Sequence, residues 1–233
     1  MDDLNSCIDE VNDGINFYWW CKSILKEGGF NLRKFDLNSK VLEDIFCESD
    51  FTPKPETKVL GVSWDKQINI LIFYFKDLMK MADDIRNKKE VLKFVASIYN
   101  PLGLINPVVV KLKVLFQNLS VSKLSWEDYL DGENLTEWQS ILNDFLSSSN
   151  VMVPRWYLNS SNFLPNYKLE LHCFSNASNK AYGCCIYIRI FDETHSCSTL
   201  IASKLRVASL SKTTIPRLEL SAILLLAELM INV

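Results

Sequence analysis

The alternation of apolar and polar positions divides the chain into stretches of different period. From Asp9 to Leu25, the residues Val11, Ile15, Tyr18, Trp19 and Leu25 recur at helical spacing, and Gly28 with Gly29 supplies a stop. "FNLRKFDL" alternates as a half-buried strand does, and "SKVLEDIF" predicts a short helix capped by Ser39. "KVLGVSWDKQINILIFYF" predicts two strands of a hairpin turning near Asp65 and Lys66. After residue 76 the period lengthens. "NKKEVLKFVASIY" and "VVVKLKVLFQNL" predict amphipathic helices, broken between them by Pro101, Gly103 and Pro107, and "LTEWQSILNDFL" predicts a third. "SSSN" at 147–150 reads as a linker. Beyond it the order becomes strand, strand, strand, helix, the last helix with Thr214 at its cap and Pro216 in its first turn.

Composition narrows the class without naming a chemistry. At 48% hydrophobic and 23% charged residues, 233 residues suffice for a buried core. A net charge of −3 offers no global attraction for nucleic acid, so any such binding must come from a local patch. Seven cysteines, an odd number and none in a C-x-x-C pair, argue for reduced thiols rather than a disulfide frame or a zinc site. Cys184 and Cys185, as strand neighbours, point to opposite faces. The polar start is no signal peptide, and "LELSAILLLAELMINV" is too short and too charged to span a bilayer. These features predict a soluble protein of the cytoplasm or nucleus.

Three constellations carry candidate chemistry. Asp2 and Asp3 are adjacent carboxylates of a kind that holds divalent metal on a tight hairpin, although an acidic N-terminus is ordinarily solvated. Glu219, one turn into the last helix, is spaced to aim at the first strand of the terminal unit, where Asn176 sits; a first-turn Glu also simply complements the helix dipole. From Ser196 to Leu218 there is no acidic residue, while Lys204, Arg206, Lys212 and Arg217 add positive charge. That stretch suits a phosphate backbone, or equally a solvated strand edge. His172 and His195 lack partners at metal-ligand spacing.

The ordered blocks "MDDL", "KVLGVSWD", "NPLGLINPV", "LSWEDYL", "VPRWY", "LHCFSNASNKAYGCCIYIR", "ASKLRVASL" and "TIPRLELSAILLLAEL" resemble the polymerase polyprotein of BEL/Pao long-terminal-repeat retrotransposons, over essentially the whole chain. The resemblance implies an α+β fold: the end of a reverse-transcriptase palm (1–75), a helical thumb and connection (76–150), and a truncated ribonuclease H-like βββα unit (151–233). It implies Mg2+ as the family's cofactor and RNA, DNA or an RNA–DNA hybrid as partner. Asp2 and Asp3 resemble the aspartate pair of the polymerase Y-x-D-D hairpin, with Met1 at the x position. "FSNAS" resembles a motif usually reading F-[SA]-D-A-S, so Asn176 replaces a metal-binding carboxylate, and Glu219 in "PRLEL" matches the second ligand. The expectation is a polyprotein fragment without activity of its own. The alternatives are a residual nucleic-acid-binding module using Lys204, Arg206, Lys212 and Arg217, or part of an active polymerase and nuclease if the chain extends further. The region has also been labelled a peptidase, but Asp13-Gly14 and Asp131-Gly132 lack the middle residue of an aspartic-protease triplet.

Overall fold

A computed structural model describes residues 6–8, 10–46, 50, 56–59, 61–75, 80, 82, 85–122, 124–147, 150–157, 166–211 and 213–232. Asp2, Asp3 and Lys212 lie outside the described residues. The fold is mixed α/β. The helices are α1 (Val11–Glu27), α2 (Lys40–Ile45), α3 (Lys88–Ser97), α4 (Asn106–Val121), α5 (Gly132–Ser147) and α6 (Ile215–Met230). The strands are β1 (Glu56–Val59), β2 (Val62–Asp65), β3 (Ile70–Phe73), β4 (Val151–Pro154), β5 (Lys168–Ala177), β6 (Ala181–Phe191) and β7 (Ser196–Val207). They form one sheet in the order β1-β2-β3-β4 and another in the order β5-β6-β7. Two compact units result, Met1–Val59 with Ser63–Ile70, and Leu60–Val62 with Leu71–Val233.

In the first unit, α1 ends at the predicted glycines. Gly29 takes φ 79°, and the Phe30 N–H donates back to the Leu25 carbonyl, closing a left-handed helix cap. The unit's core is aromatic: the Tyr18 ring stacks on Phe46 at 3.8 Å and meets Phe35 edge-on. The Tyr18 hydroxyl donates to Asp50 at 2.6 Å, and Lys22 forms an ion pair with the same carboxylate. The alternation of "FNLRKFDL" does not give a strand. Lys34 adopts φ 65°, which breaks an extended run, and only an isolated bridge remains at Phe35, whose N–H donates to the Asp50 carbonyl. Ser39 does precede α2, but its side chain makes no capping bond. The hairpin turn falls at 66–69, later than its predicted place. Asp65 accepts the N–H groups of Gln67 and Ile68 there, and Asn69 supplies the left-handed residue.

The second unit joins a helical layer to the βββα unit. α3 opens with a capping box: Asn87 accepts the Glu90 N–H at 3.0 Å while Glu90 accepts the N–H groups of Arg86 and Asn87. Val91, Leu112, Leu115 and Leu119 are fully buried, and Phe94 meets Trp138 edge-on at 5.4 Å. β5, β6 and β7 run antiparallel with Cys173 opposite Ile186 and Ile186 opposite Ala202. The strict period of β6 buries Cys184, Ile186, Ile188 and Ile190 on one face, against Leu218, Ala222 and Leu225 of α6. Cys185 accordingly faces the other way, half-buried. Thr214 stands at the N-cap of α6 without a side-chain cap bond.

The "NPLGL" break docks the helical layer onto β7. The Ser203 N–H donates to the Leu102 carbonyl at 2.8 Å, the Ser203 hydroxyl donates to the Gly103 carbonyl at 2.7 Å, and Asn106 donates to the Ser203 hydroxyl at 2.8 Å. Gly103 has φ 73°, and a Cβ there would lie 1.9 Å from the Ser203 carbonyl oxygen. Only glycine fits this approach. The Gln117 side chain adds a bond to the Ala208 carbonyl at 2.6 Å.

Candidate functional site

The β5–β6 turn, the end of β7 beside it and the facing sides of α4 and α5 border an open groove of about 1220 Å³. Its position follows from local sequence. The polar run Ser178–Asn179–Lys180 closes the hairpin, with the Ser178 hydroxyl donating to the Ala181 carbonyl. Gly183 lets β6 and β7 approach closely; a Cβ on it would stand 2.9 Å from the Lys204 carbonyl oxygen. Asn176 and Lys204 both line this groove.

Asn176 sits opposite Gly183, near the end of β5, and is exposed. Its side-chain oxygen accepts the N–H of Ala177 at 2.8 Å, so the amide is partly engaged by its own strand. Glu219 is exposed just past the first turn of α6, next to Leu218, which is buried. Lys204 and Arg206, two residues apart on β7, are both exposed and share a face. Arg217 is exposed on the first turn of α6, its carbonyl taken by the Ser221 hydroxyl. These cations stand on the sheet and on the helix that follows it. α5 presents Glu133, Glu137 and Asp144 on the opposite wall of the groove, and Lys111 of α4 pairs with Asp144 at 2.6 Å. The groove's carboxylates thus stand on α5, while its cations are Lys180 and Lys204 on the sheet and Lys111 on α4; Arg206 and Arg217 lie outside its lining.

Lys180, in the β5–β6 turn, lines the same groove and adds to that charge. The sequence reading passed over it because it lies outside the acid-free stretch from 196 to 218. Only the hairpin register brings it near Lys204. On the exposed part of the sheet, His172 bonds Glu170 at 3.0 Å and Arg189 reaches the same carboxylate at 3.3 Å. The contact from His172, followed by the Arg189 charge, holds the Glu170 carboxyl below its ordinary range. His172 is thus a partner of the Glu170 carboxylate on the same strand.

The donor set does not fit a two-metal clamp. Such a site needs several carboxylates around ions about 3.5–4 Å apart. The strand here contributes a neutral amide whose oxygen already accepts a backbone N–H, and hard divalent cations prefer charged oxygen. Among the described residues, no group of three or more His, Cys, Asp or Glu side chains is gathered to hold a metal ion. Among them, too, no helix is long and apolar enough to cross a membrane.

Comparison with known families places this architecture. The family model described as the Pao retrotransposon-like RNaseH-like domain matches residues 87–233, from the capping box of α3 through the βββα unit. No curated protein matches the sequence. The match covers more than half of the chain and includes the docking loop, the groove and both Asn176 and Glu219. The chain belongs to the Pao retrotransposon-like RNaseH-like domain family.

Proposed function

We propose that this chain is a retrotransposon pol-derived, ribonuclease H-like module that holds nucleic acid and does not cleave it. The observation that carries this reading is Asn176: at the strand position where the family resemblance calls for a carboxylate, a neutral amide lines the groove and spends its oxygen on the Ala177 N–H. Glu219 alone supplies one negative oxygen pair, too little to bind two ions or activate water. Mg2+ is accordingly the family's cofactor and has no productive role in this module. Residues 1–75 belong to the same proposal as the end of a reverse-transcriptase palm carrying Asp2 and Asp3, 76–150 as thumb and connection, and 151–233 as the nuclease-like part.

The strand-side cations support the binding half. Lys180, Lys204, Arg206 and Arg217, with Lys212, offer charge to a phosphate backbone while the acidic wall of α5 limits which side it follows. The test uses a labelled RNA–DNA hybrid with Mg2+. Binding is expected to weaken with salt, with a log–log slope of about −0.9 per phosphate neutralised. Lys204→Ala and Arg206→Ala each reduce that slope by about one. No cleavage is expected from the unaltered chain. Cleavage that Glu219→Gln abolishes would overturn the inactive reading, and absence of binding at low salt would overturn the other half.

A further inference from the structure

The groove between the β5–β6 hairpin and the helices α4 and α5 lies within one compact unit, its two sides tied together by the bonds of Asn106 to Ser203 and of Gln117 to Ala208. At about 1220 Å³ and open, it exceeds the roughly 300–1,000 Å³ of a small-molecule pocket and suits a length of polymer passing along it. Its charges are placed unevenly. Lys111 and Asp144 neutralise each other at 2.6 Å. That leaves Lys180 and Lys204 on the sheet and Glu133 and Glu137 on α5. The two glutamates stand one helical turn apart, so they share a face, and among the described residues their carboxylates have no hydrogen-bond or ion-pair partner. The same lining includes Val110, Val114 and Tyr182, all half-buried.

We propose that this groove takes an unpaired strand running on from the bound hybrid, its phosphates on Lys180 and Lys204 and its bases toward α5, where Glu133 and Glu137 select bases that carry an amino group. This rests on the nucleic-acid-binding reading and adds which form of the polymer enters the groove. A duplex presents two phosphate chains. One chain on the lysines leaves the other facing the carboxylates, and like charges opposed across a contact penalise it. A single strand has one phosphate chain, and its other side is base. Ammonium groups only donate and carboxylates only accept, so each row of the groove recognises one of those two sides. The amino group of cytosine donates to a carboxylate, whereas uracil and thymine present a carbonyl oxygen at the same place. An unpaired base also has bare faces, to which Tyr182, Val110 and Val114 offer a ring and apolar surface in place of water. Arg206 and Arg217, outside the lining, stay available to the paired part.

Fluorescence anisotropy on the full chain at low salt compares a blunt RNA–DNA hybrid with hybrids carrying a tail of about six unpaired nucleotides. The tails are all cytosine or all uracil as RNA, and all cytosine or all thymine as DNA. Tailed hybrids are expected to bind more tightly than the blunt one, and cytosine tails about fivefold or more tighter than uracil or thymine tails. The order is the same for both sugars, because no proposed contact is to the sugar. Glu133→Gln together with Glu137→Gln removes negative charge and so tightens binding of every tail. It also brings the cytosine preference below about twofold, because an amide both donates and accepts. A merely structural role for the two glutamates leaves that ratio unchanged. Equal binding of blunt and tailed hybrids, indifference to the base, a preference confined to one sugar, or one that survives in the double variant overturns the proposal and leaves hybrid binding standing. If no hybrid binds at all, both fall.

Discussion

Gly103→Ala is the sharpest perturbation of the joint between the helical layer and the β5-β6-β7 sheet. A left-handed backbone costs an L-residue about 1–2 kcal/mol by itself. At φ 73° the new Cβ also stands 1.9 Å from the Ser203 carbonyl oxygen and 2.7 Å from the Asn106 amide nitrogen. Neither neighbour yields cheaply, because the first is backbone within a paired strand. Relief requires the 102–103 segment to lift from β7, which sacrifices the bonds from the Ser203 N–H, the Ser203 hydroxyl and the Asn106 amide. At about 0.5–1.5 kcal/mol net for each of the three bonds, added to the backbone cost, the total loss comes to about 2.5–6.5 kcal/mol. Gly132→Ala is the matched control: its φ is 45°, but nothing lies within 4 Å of the new Cβ, so only the backbone cost of about 1 kcal/mol applies. Urea unfolding followed by circular dichroism separates the two, provided the slope of the transition is unchanged. Equal destabilisation by the two variants would show that the close approach at Ser203 is absent, and the account of the joint would fall with it.

Two further perturbations read other parts of the fold. The hydrogen bond from the Lys22 ammonium, and then that from the Tyr18 hydroxyl, hold the Asp50 carboxyl below its ordinary range. This stabilisation is complete above the unfolded value of about 3.9 and is lost as pH falls through the lower folded one. The same bond raises Lys22, whose contribution is complete below about 10.4 and fades as pH rises through its higher folded value. Asp50→Asn, which leaves a half-satisfied buried site, is expected to cost about 3 kcal/mol at pH 7, and its gap to the unaltered chain should narrow below about pH 4; a gap constant down to pH 2 contradicts the assignment. Asn87→Ala removes the acceptor of the Glu90 N–H and should lower stability by about 1 kcal/mol in urea unfolding, with an unchanged midpoint ruling out the capping box.

What the sequence made legible were the features written in one local period. The helices around Val11–Glu27, Lys88–Ser97 and Asn106–Val121, and the βββα order after Lys168, follow from spacing that survives folding because each buries a continuous stripe. "FNLRKFDL" shows the limit. Its alternation is real, yet Lys34 turns left-handed, and no neighbouring pattern in the sequence signals that turn. The cap residues illustrate a related limit, since Ser39 and Thr214 occupy the right positions while their side chains make no capping bond. The candidate site was legible only as separate residues. Asn176 and Glu219 stood out by resemblance, but the groove depends on pairings more than ninety residues apart, such as Asn106 with Ser203. "NPLGL" reads in sequence as a helix breaker, and Gly103 as a turn residue. Its tertiary role is to let backbone touch backbone, which docks the helical layer onto β7 at Ser203. The groove of the binding proposal is walled by residues held at this one loop. If Gly103→Ala lifts the loop, the wall that Asn106 and Pro107 give the groove shifts with it, and binding of the hybrid should weaken alongside stability.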